Sequence, residues 1–536
     1  MEISNVHAVQ LVFLLLLLFV AAFGLLARKL DVPYPIMLVM AGGLLGLIPG
    51  IPRISLNPDL IFFVVLPPLL YAAAWTTSWR DFTYNFVSIF LLAVGLVAFS
   101  VIGIALGAPV LLPGFDWRLG LVLGAVVAPT DAIAATSIAQ RIRLPKRIND
   151  ILEGESLVND ATGLLALEFG IAIVVRGEAP TVATGIFRLL YLILGGMAVG
   201  VAIGWMVNWI EQRVDDGPIE IALSILVPYA AYLGADRIRA SGVLAVVVCG
   251  LYLSRRSSSF FTPAVRLQVW AVWEALTFIL NGLVFVLIGL QLPNVMLAIH
   301  GYSIRQLILY GTLFSGMVIA LRFIWVFPGS WAAWWIRTRM LHQKLTPPTK
   351  GGITLLGWAG MRGVISLAAA IALPVTMADG GDLAQRSMII YLAFCVILAT
   401  LILQGLSLPW IVRVLGVADP EGVNLEEAEA RREILEAALA RLAQLREKSE
   451  DRFSLVYADL EGHYRQRLTA ATGLDDKENN ESNEHHRKLG KLQRELLHVE
   501  RQTAIRLRNE GKISDAVLRQ LEHELDLREA GPTHVT

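Results

Sequence analysis

Charge is what this sequence has least of. Asp, Glu, Lys and Arg make up 17% of its 536 residues, where a soluble protein carries about 25%. The two signs cancel to a formal net charge of zero, which removes the basic footprint that nucleic-acid binding requires. Cysteine is nearly absent as well. Cys249 and Cys395 lie in separate apolar runs without metal-ligand spacing, so they read as packing residues rather than a disulfide or a metal site. No nucleophile–base pair, metal cluster or phosphate-cradling loop is visible, so neither an enzyme nor a cofactor is expected.

Hydrophobic residues account for 55% of the chain, and mean hydropathy is +0.61. Apolar runs long enough to cross a bilayer recur from residue 7 to residue 413, which defines an all-α polytopic membrane protein. About 13 spans are predicted: 7–27, 32–50, 58–77, 84–107, 116–140, 147–174, 183–210, 217–235, 240–254, 265–291, 303–330, 350–374 and 386–413. The first resembles a signal peptide in position only. No Lys or Arg precedes it, Arg28 and Lys29 follow it, and no small-residue cleavage site is present.

Basic residues in the loops set an expected orientation. Arg28, Lys29, Arg80, Arg141, Arg143, Lys146, Arg147, Arg213, Arg255, Arg256, Arg266, Arg337, Arg339, Lys344 and Lys350 belong to one set of alternating loops; Arg53, Arg118, Arg176, Arg237, Arg239, Arg305 and Arg386 belong to the other, about half as basic. The richer set is the cytoplasmic one by the positive-inside rule, with the N-terminus outside and the C-terminus inside.

After Leu415 the composition turns polar. The chain is expected to divide into a transmembrane domain, 1–415, and a cytoplasmic helical domain, 416–536. In the latter, Asn424 is the expected N-cap of an amphipathic helix bearing Leu435, Leu439, Leu442 and Leu445. A second helix around Phe453–Tyr464 follows, then a linker holding His485 and His486, and two more helices, the last with Ser514 as N-cap.

Two spans are broken, and at matching places. The fifth contains Ala128-Pro129-Thr130-Asp131; the twelfth places Gly357, Gly360 and Gly363 around Arg362. With spans 1–6 and 8–13 taken as two inverted halves, each break is the fifth span of its half. Paired interrupted helices of this kind mark the binding site of an inverted-repeat transporter.

The sixth span carries a polar patch in an apolar helix. Ser156 and Asp160 share one face, and Glu155 and Asn159 share the adjacent one. Facing the break at Pro129, the patch offers a carboxylate, a hydroxyl, an amide and a freed backbone carbonyl, hard oxygens suited to a partly dehydrated monovalent cation. Burial favours the protonated form of a carboxylate and a nearby cation favours the ionised form, so Asp160 is the candidate carrier of both. Thr130, Asp131 and Ser156 are the other candidate cation and proton ligands, and Asn159, which cannot titrate, is expected to brace the unwound segment. Glu155 needs a counter-charge; Arg322 is favoured over Arg362, which is left to the broken ends of span 12, with Asp131 as a further partner. Trp325, Trp331, Trp334 and Trp335 are read as an interfacial belt.

The stretches APTDAIAA, LEGESLVNDATGLL and GWAGMRGVISLAAAIALP resemble the signature motifs of monovalent cation:proton antiporters of the NhaP and NHE type, over about residues 7–415. That resemblance places the family's Asn-Asp pair on Asn159 and Asp160, its crossing-helix Asp on Asp131, and its two arginines on Arg322 and Arg362. It implies a homodimer in the cell (inner) membrane, with a dimerisation domain of spans 1–3 and 8–10 and a mobile core of spans 4–6 and 11–13. It further implies electroneutral exchange of Na+, with K+ or Li+ as other substrates, for H+. A potassium/proton antiporter with tail-mediated regulation is the first alternative; a cation channel is disfavoured by the paired breaks and the single carboxylate. One departure stands out: several members carry a carboxylate just after the Leu66-Pro67-Pro68 motif, where this chain continues Tyr71-Ala72-Ala73-Ala74.

Overall fold

The computed structural model describes residues 2–48, 56–131, 144–176, 181–299, 301–376, 385–417, 422–447, 454–472 and 495–507, with scattered positions between and beyond. The protein is all-helical as expected, with no strand among the described residues. Two compact units divide at Asp419/Pro420.

In the first unit the helices are α1 (Glu2–Lys29), α2 (Tyr34–Gly46), α3 (Pro58–Thr76), α4 (Phe86–Leu111), α5 (Trp117–Val127), α6 (Lys146–Arg176), α7 (Val182–Glu211), α8 (Gly217–Arg237), α9 (Gly242–Phe260), α10 (Pro263–Leu290), α11 (Ile304–Arg339), α12 (Lys350–Trp358), α13 (Val364–Ile371) and α14 (Arg386–Leu415). Each predicted span overlaps one of these, or the pair α12 and α13; the part of span 5 beyond Asp131 lies outside the described residues. Among the described residues, eight helices are continuous, long and apolar enough to cross a membrane; thirteen is the count from sequence. The short ninth span is longer than hydropathy suggests, because α9 runs on through Arg255 and Arg256 to Phe260.

Capping residues set many of the starts. Asp116 Oδ1 accepts from the Leu119 amide at 2.9 Å to open α5, and Thr349 does the same for Gly352 at 3.2 Å to open α12. Ser303 and Gln306 form a reciprocal capping box on α11. Each cap satisfies an amide with no intrahelical partner, and is worth about 1 kcal/mol.

The helices pack in two sets. Helices α1–α3 and α7–α10 associate mainly with one another, and α4–α6 associate with α11–α14. Small residues allow close approach in the first set: a Cβ on Gly42 of α2 or on Gly289 of α10 would collide with the facing backbone. The second set contains the interruptions. Helix α5 stops at Val127, and Pro129 follows without an N–H to continue it. Between α12 and α13 the chain from Ala359 to Gly363 is non-helical. Three further turns are π-helical, at Ile61–Val65, Leu91–Leu96 and Thr400–Gln404. The one in α4 presents backbone carbonyls to its neighbours: Leu91 O accepts from Trp325 Nε1 at 3.0 Å, and Ala93 O accepts from Thr162 Oγ1 at 2.5 Å.

The tryptophan reading needs correction at one position. Trp331 and Trp335 are exposed, as an interfacial belt requires, but Trp325 packs on Phe99 and is hydrogen-bonded into α4. Cys249 and Cys395 are both free, as packing residues would be.

In the second unit, α15 (Gly422–Glu447) and α16 (Ser454–Thr472) pack together, with an ion pair of 3.1 Å between Arg446 and Glu461. Asn424 is not a cap. The helix already begins at Gly422, so Asn424 lies inside its first turn. Leu435 is buried, whereas Leu445 is exposed. His485, His486 and Ser514 lie outside the described residues.

Candidate ion and proton site

Thr130 is the hub at which the predicted residues meet. It sits in the extended segment after α5 and is buried, 7% exposed. Its carbonyl accepts from Ser156 Oγ at 2.7 Å. Its hydroxyl accepts from Asn159 Nδ2 at 2.5 Å and donates to Glu155 Oε1 at 3.4 Å. Three side chains of α6 thus hold one residue of the broken helix. The i, i+4 spacing puts Ser156 and Asp160 on one side of Thr130, and Glu155 and Asn159 on the other.

The two breaks touch directly. The Asp131 amide donates to the Met361 carbonyl at 2.8 Å. Gly363 makes room for this contact: a Cβ on it would overlap the Asp131 carboxylate. Gly360 plays a similar part, since a Cβ there would overlap the Arg322 guanidinium.

Arg322 and Glu155 form a two-pronged ion pair, at 2.5 and 2.8 Å, and Arg322 Nη2 also donates to Leu356 O at 3.2 Å. Both residues are buried, at 2% and 1% exposure. Of the two arginines considered, Arg322 is therefore the partner of Glu155. Arg362 Nη1 donates to Gly360 O at 3.2 Å, and its amide donates to Thr400 Oγ1 at 3.0 Å, which places it at the interruption between α12 and α13.

Asp160 is buried at 2% exposure, and its Oδ1 has no hydrogen-bond partner. It lines a cavity of about 260 Å³ together with Thr130, Asp131, Ser156 and Ser366. Glu153, Asn281 of α10, and Ala72 and Ala73 of α3 are also in its walls. Where several relatives of the resembled family place an acid after the Leu-Pro-Pro motif, this cavity is lined by methyl groups. Among the described residues, no cluster of three or more His, Cys, Asp and Glu side chains gathers to hold a metal ion; the oxygens here come mostly from hydroxyl, carbonyl and isolated carboxylate groups.

Sequence reasoning missed Ser366, Thr400 and Asn281. Each is a single polar residue in an apolar helix. Thr400 shows why this is hard to detect, since its hydroxyl also bonds back to Val396 O at 2.8 Å within its own helix, as Ser and Thr in spans commonly do. Glu168, a further acid of α6, pairs with Arg188 at 3.1 Å.

A helix α5 that ends in a non-helical segment, the interruption between α12 and α13 that this segment contacts, and a polar patch on α6 that holds it, all within a helical membrane domain, fit a secondary-transporter architecture. Residues 14–414 match the family model described as sodium/hydrogen exchanger, transmembrane, and the chain belongs to that family. An uncharacterised Na+/H+ exchanger of Mycobacterium tuberculosis H37Rv is 33% identical over 514 residues, 94% of this chain and 92% of its own. A sodium, potassium, lithium and rubidium/H+ antiporter of Bacillus pumilus is also 33% identical, over 81% of this chain and 66% of its own length. The solved structure of the sodium proton antiporter MjNhaP1 from Methanocaldococcus jannaschii shares the fold, with a TM-score of 0.62 at 20% identity over 78% of this chain and all of that one.

Proposed function

We propose that this member of the sodium/hydrogen exchanger family exchanges a monovalent cation for H+, one for one, with Asp160 as the shared carrier. The observation that supports it is the buried Asp160 carboxylate, one oxygen without a hydrogen bond, facing a cavity it shares with Thr130, Asp131 and Ser156. A proton and a cation compete for such a group, because each stabilises a different state of the carboxylate. Thr130, Ser156 and Asp131 supply further oxygens to the bound cation, while Asn159 holds Thr130 in place. The Glu155–Arg322 pair and Arg362 are structural in this reading.

Na+ is the first cation assigned, with K+ and Li+ as further substrates; the Bacillus relative is named for all three. Alternation comes from movement of α4–α6 with α11–α14 against α1–α3 with α8–α10. The protein works as a homodimer in the cell membrane, N-terminus outside and C-terminus in the cytoplasm.

The test is proton efflux from acid-loaded liposomes on adding Na+, then K+, with and without a clamped membrane potential. Cation-driven efflux indifferent to the potential is expected. Efflux that follows the potential would replace one-for-one exchange with a second titrating group, Asp131 first. K+ acting better than Na+ would make the alanine-lined wall at Ala72 and Ala73 the basis of a potassium preference.

A further inference from the structure

A second cavity, of about 250 Å³, lies at the other end of the same helices. The first turn of α6 (Arg147, Ile148) and the first turn of α12 (Thr349, Gly352) both line it, with Ser88 of α4 and the segment Thr346-Pro347-Pro348. No Asp or Glu lines it among the described residues. On the orientation proposed above it opens to the cytoplasm.

Basic residues on that side of a membrane need no ligand to explain them. Arg337 is different. It is fully buried, 0% exposed, one helical turn beyond Ala333 of the cavity wall. Its Nη1 donates to Ser88 Oγ at 3.3 Å, its Nε donates to Gln343 Oε1 at 2.8 Å, and its guanidinium lies 4.8 Å from the Tyr84 ring centroid. All three partners are neutral, and among the described residues Nη2 has no hydrogen-bond partner. Asp81, three residues before Tyr84, pairs with Lys146 at 2.8 Å. Arg147, which lines the cavity itself, adds a second cation. A buried guanidinium with no counter-charge is costly, and two helix N-termini add the positive ends of their dipoles to the same space.

We propose that this cavity binds a phosphate-bearing anion, held by Arg147 and the first turns of α6 and α12 and drawn by the buried charge of Arg337. Either free phosphate or a lipid headgroup carries that chemistry. The bound anion braces the cytoplasmic ends of α6 and α12. Leu356 lines the cavity and also offers its carbonyl to Arg322 at 3.2 Å, so the anion sits below the ion pair that supports Thr130.

The experiment uses the full-length protein in neutral detergent and reads thermal unfolding against increasing inorganic phosphate, and separately against dioctanoyl phosphatidic acid, with chloride at matched ionic strength as the control. A saturable rise in melting temperature is expected with at least one probe. A rise with inorganic phosphate assigns a free anion; a rise with phosphatidic acid alone assigns a headgroup. The apparent affinity should fall about tenfold in Arg147→Gln, the loss of one charge-assisted contact, and further in Arg337→Gln. Arg147 is exposed, so its variant folds even if the buried Arg337→Gln does not. No saturable rise with either probe, or a rise that Arg147→Gln leaves unchanged, overturns the proposal. The readout is binding, so the result is independent of whether the exchange assigned to Asp160 holds.

Discussion

Asp160 and Glu155 stand five residues apart on α6, and the structure gives them opposite circumstances. Glu155 spends both oxygens on Arg322, while Asp160 keeps Oδ1 free of hydrogen bonds. Their substitutions should therefore differ in kind. Asp160→Asn removes the titrating group and breaks no ion pair, so cation-driven proton efflux should vanish while thermal unfolding stays at or above that of the parent; retained efflux would refute the carrier assignment. Glu155→Gln leaves a guanidinium buried without its counter-charge, a loss of roughly 3–5 kcal/mol. Its melting temperature should drop sharply, and adding Arg322→Gln should restore part of it. The candidate set was legible in the sequence because charged and amide groups are conspicuous in an apolar span. Ser366 and Thr400 were not, since a lone hydroxyl in a span ordinarily satisfies itself on its own helix.

At the scale of the element, the breaks matter more than the helices. The positions of Pro129 and of Gly357, Gly360 and Gly363 announced both interruptions. Their mutual contact was not announced, because it depends on backbone atoms that every residue carries. Gly363→Ala should push its new Cβ into the Asp131 carboxylate. Exchange is expected to fall about tenfold or more, because moving a ligand by a fraction of an ångström already costs that much in a preorganised site. The spans themselves should stay formed, as far-ultraviolet circular dichroism would show. Normal exchange in this variant would mean that the breaks need not approach so closely. The helix ends were harder to read than the spans: α9 carries two arginines past its apolar stretch, and α15 starts before its expected cap.

For the whole molecule, hydropathy and the composition change near Leu415 set the expected division, and the chain separates into two compact units at Asp419/Pro420. Loop charges gave the expected orientation, but nothing in the sequence showed that α6 and α12 would frame a basic cavity with their first turns. If the two units are independent, a chain truncated after Asp419 should still insert and drive Na+-dependent proton efflux in liposomes, with any difference confined to its pH dependence. Loss of insertion would show that the membrane unit requires its tail.

The hydrogen bond from the Asp131 amide to Met361 has a consequence in the time domain. Amides outside regular helices ordinarily exchange with solvent quickly, because local opening costs little. The Asp131 amide lies outside any helix, yet it is tied to a carbonyl 230 positions away in sequence. In deuterated buffer it should exchange as slowly as the amides of α5 and α13, and it should become fast in Gly363→Ala. A slow Asp131 amide would mean that the two interrupted helices open to solvent only together, as one cooperative unit.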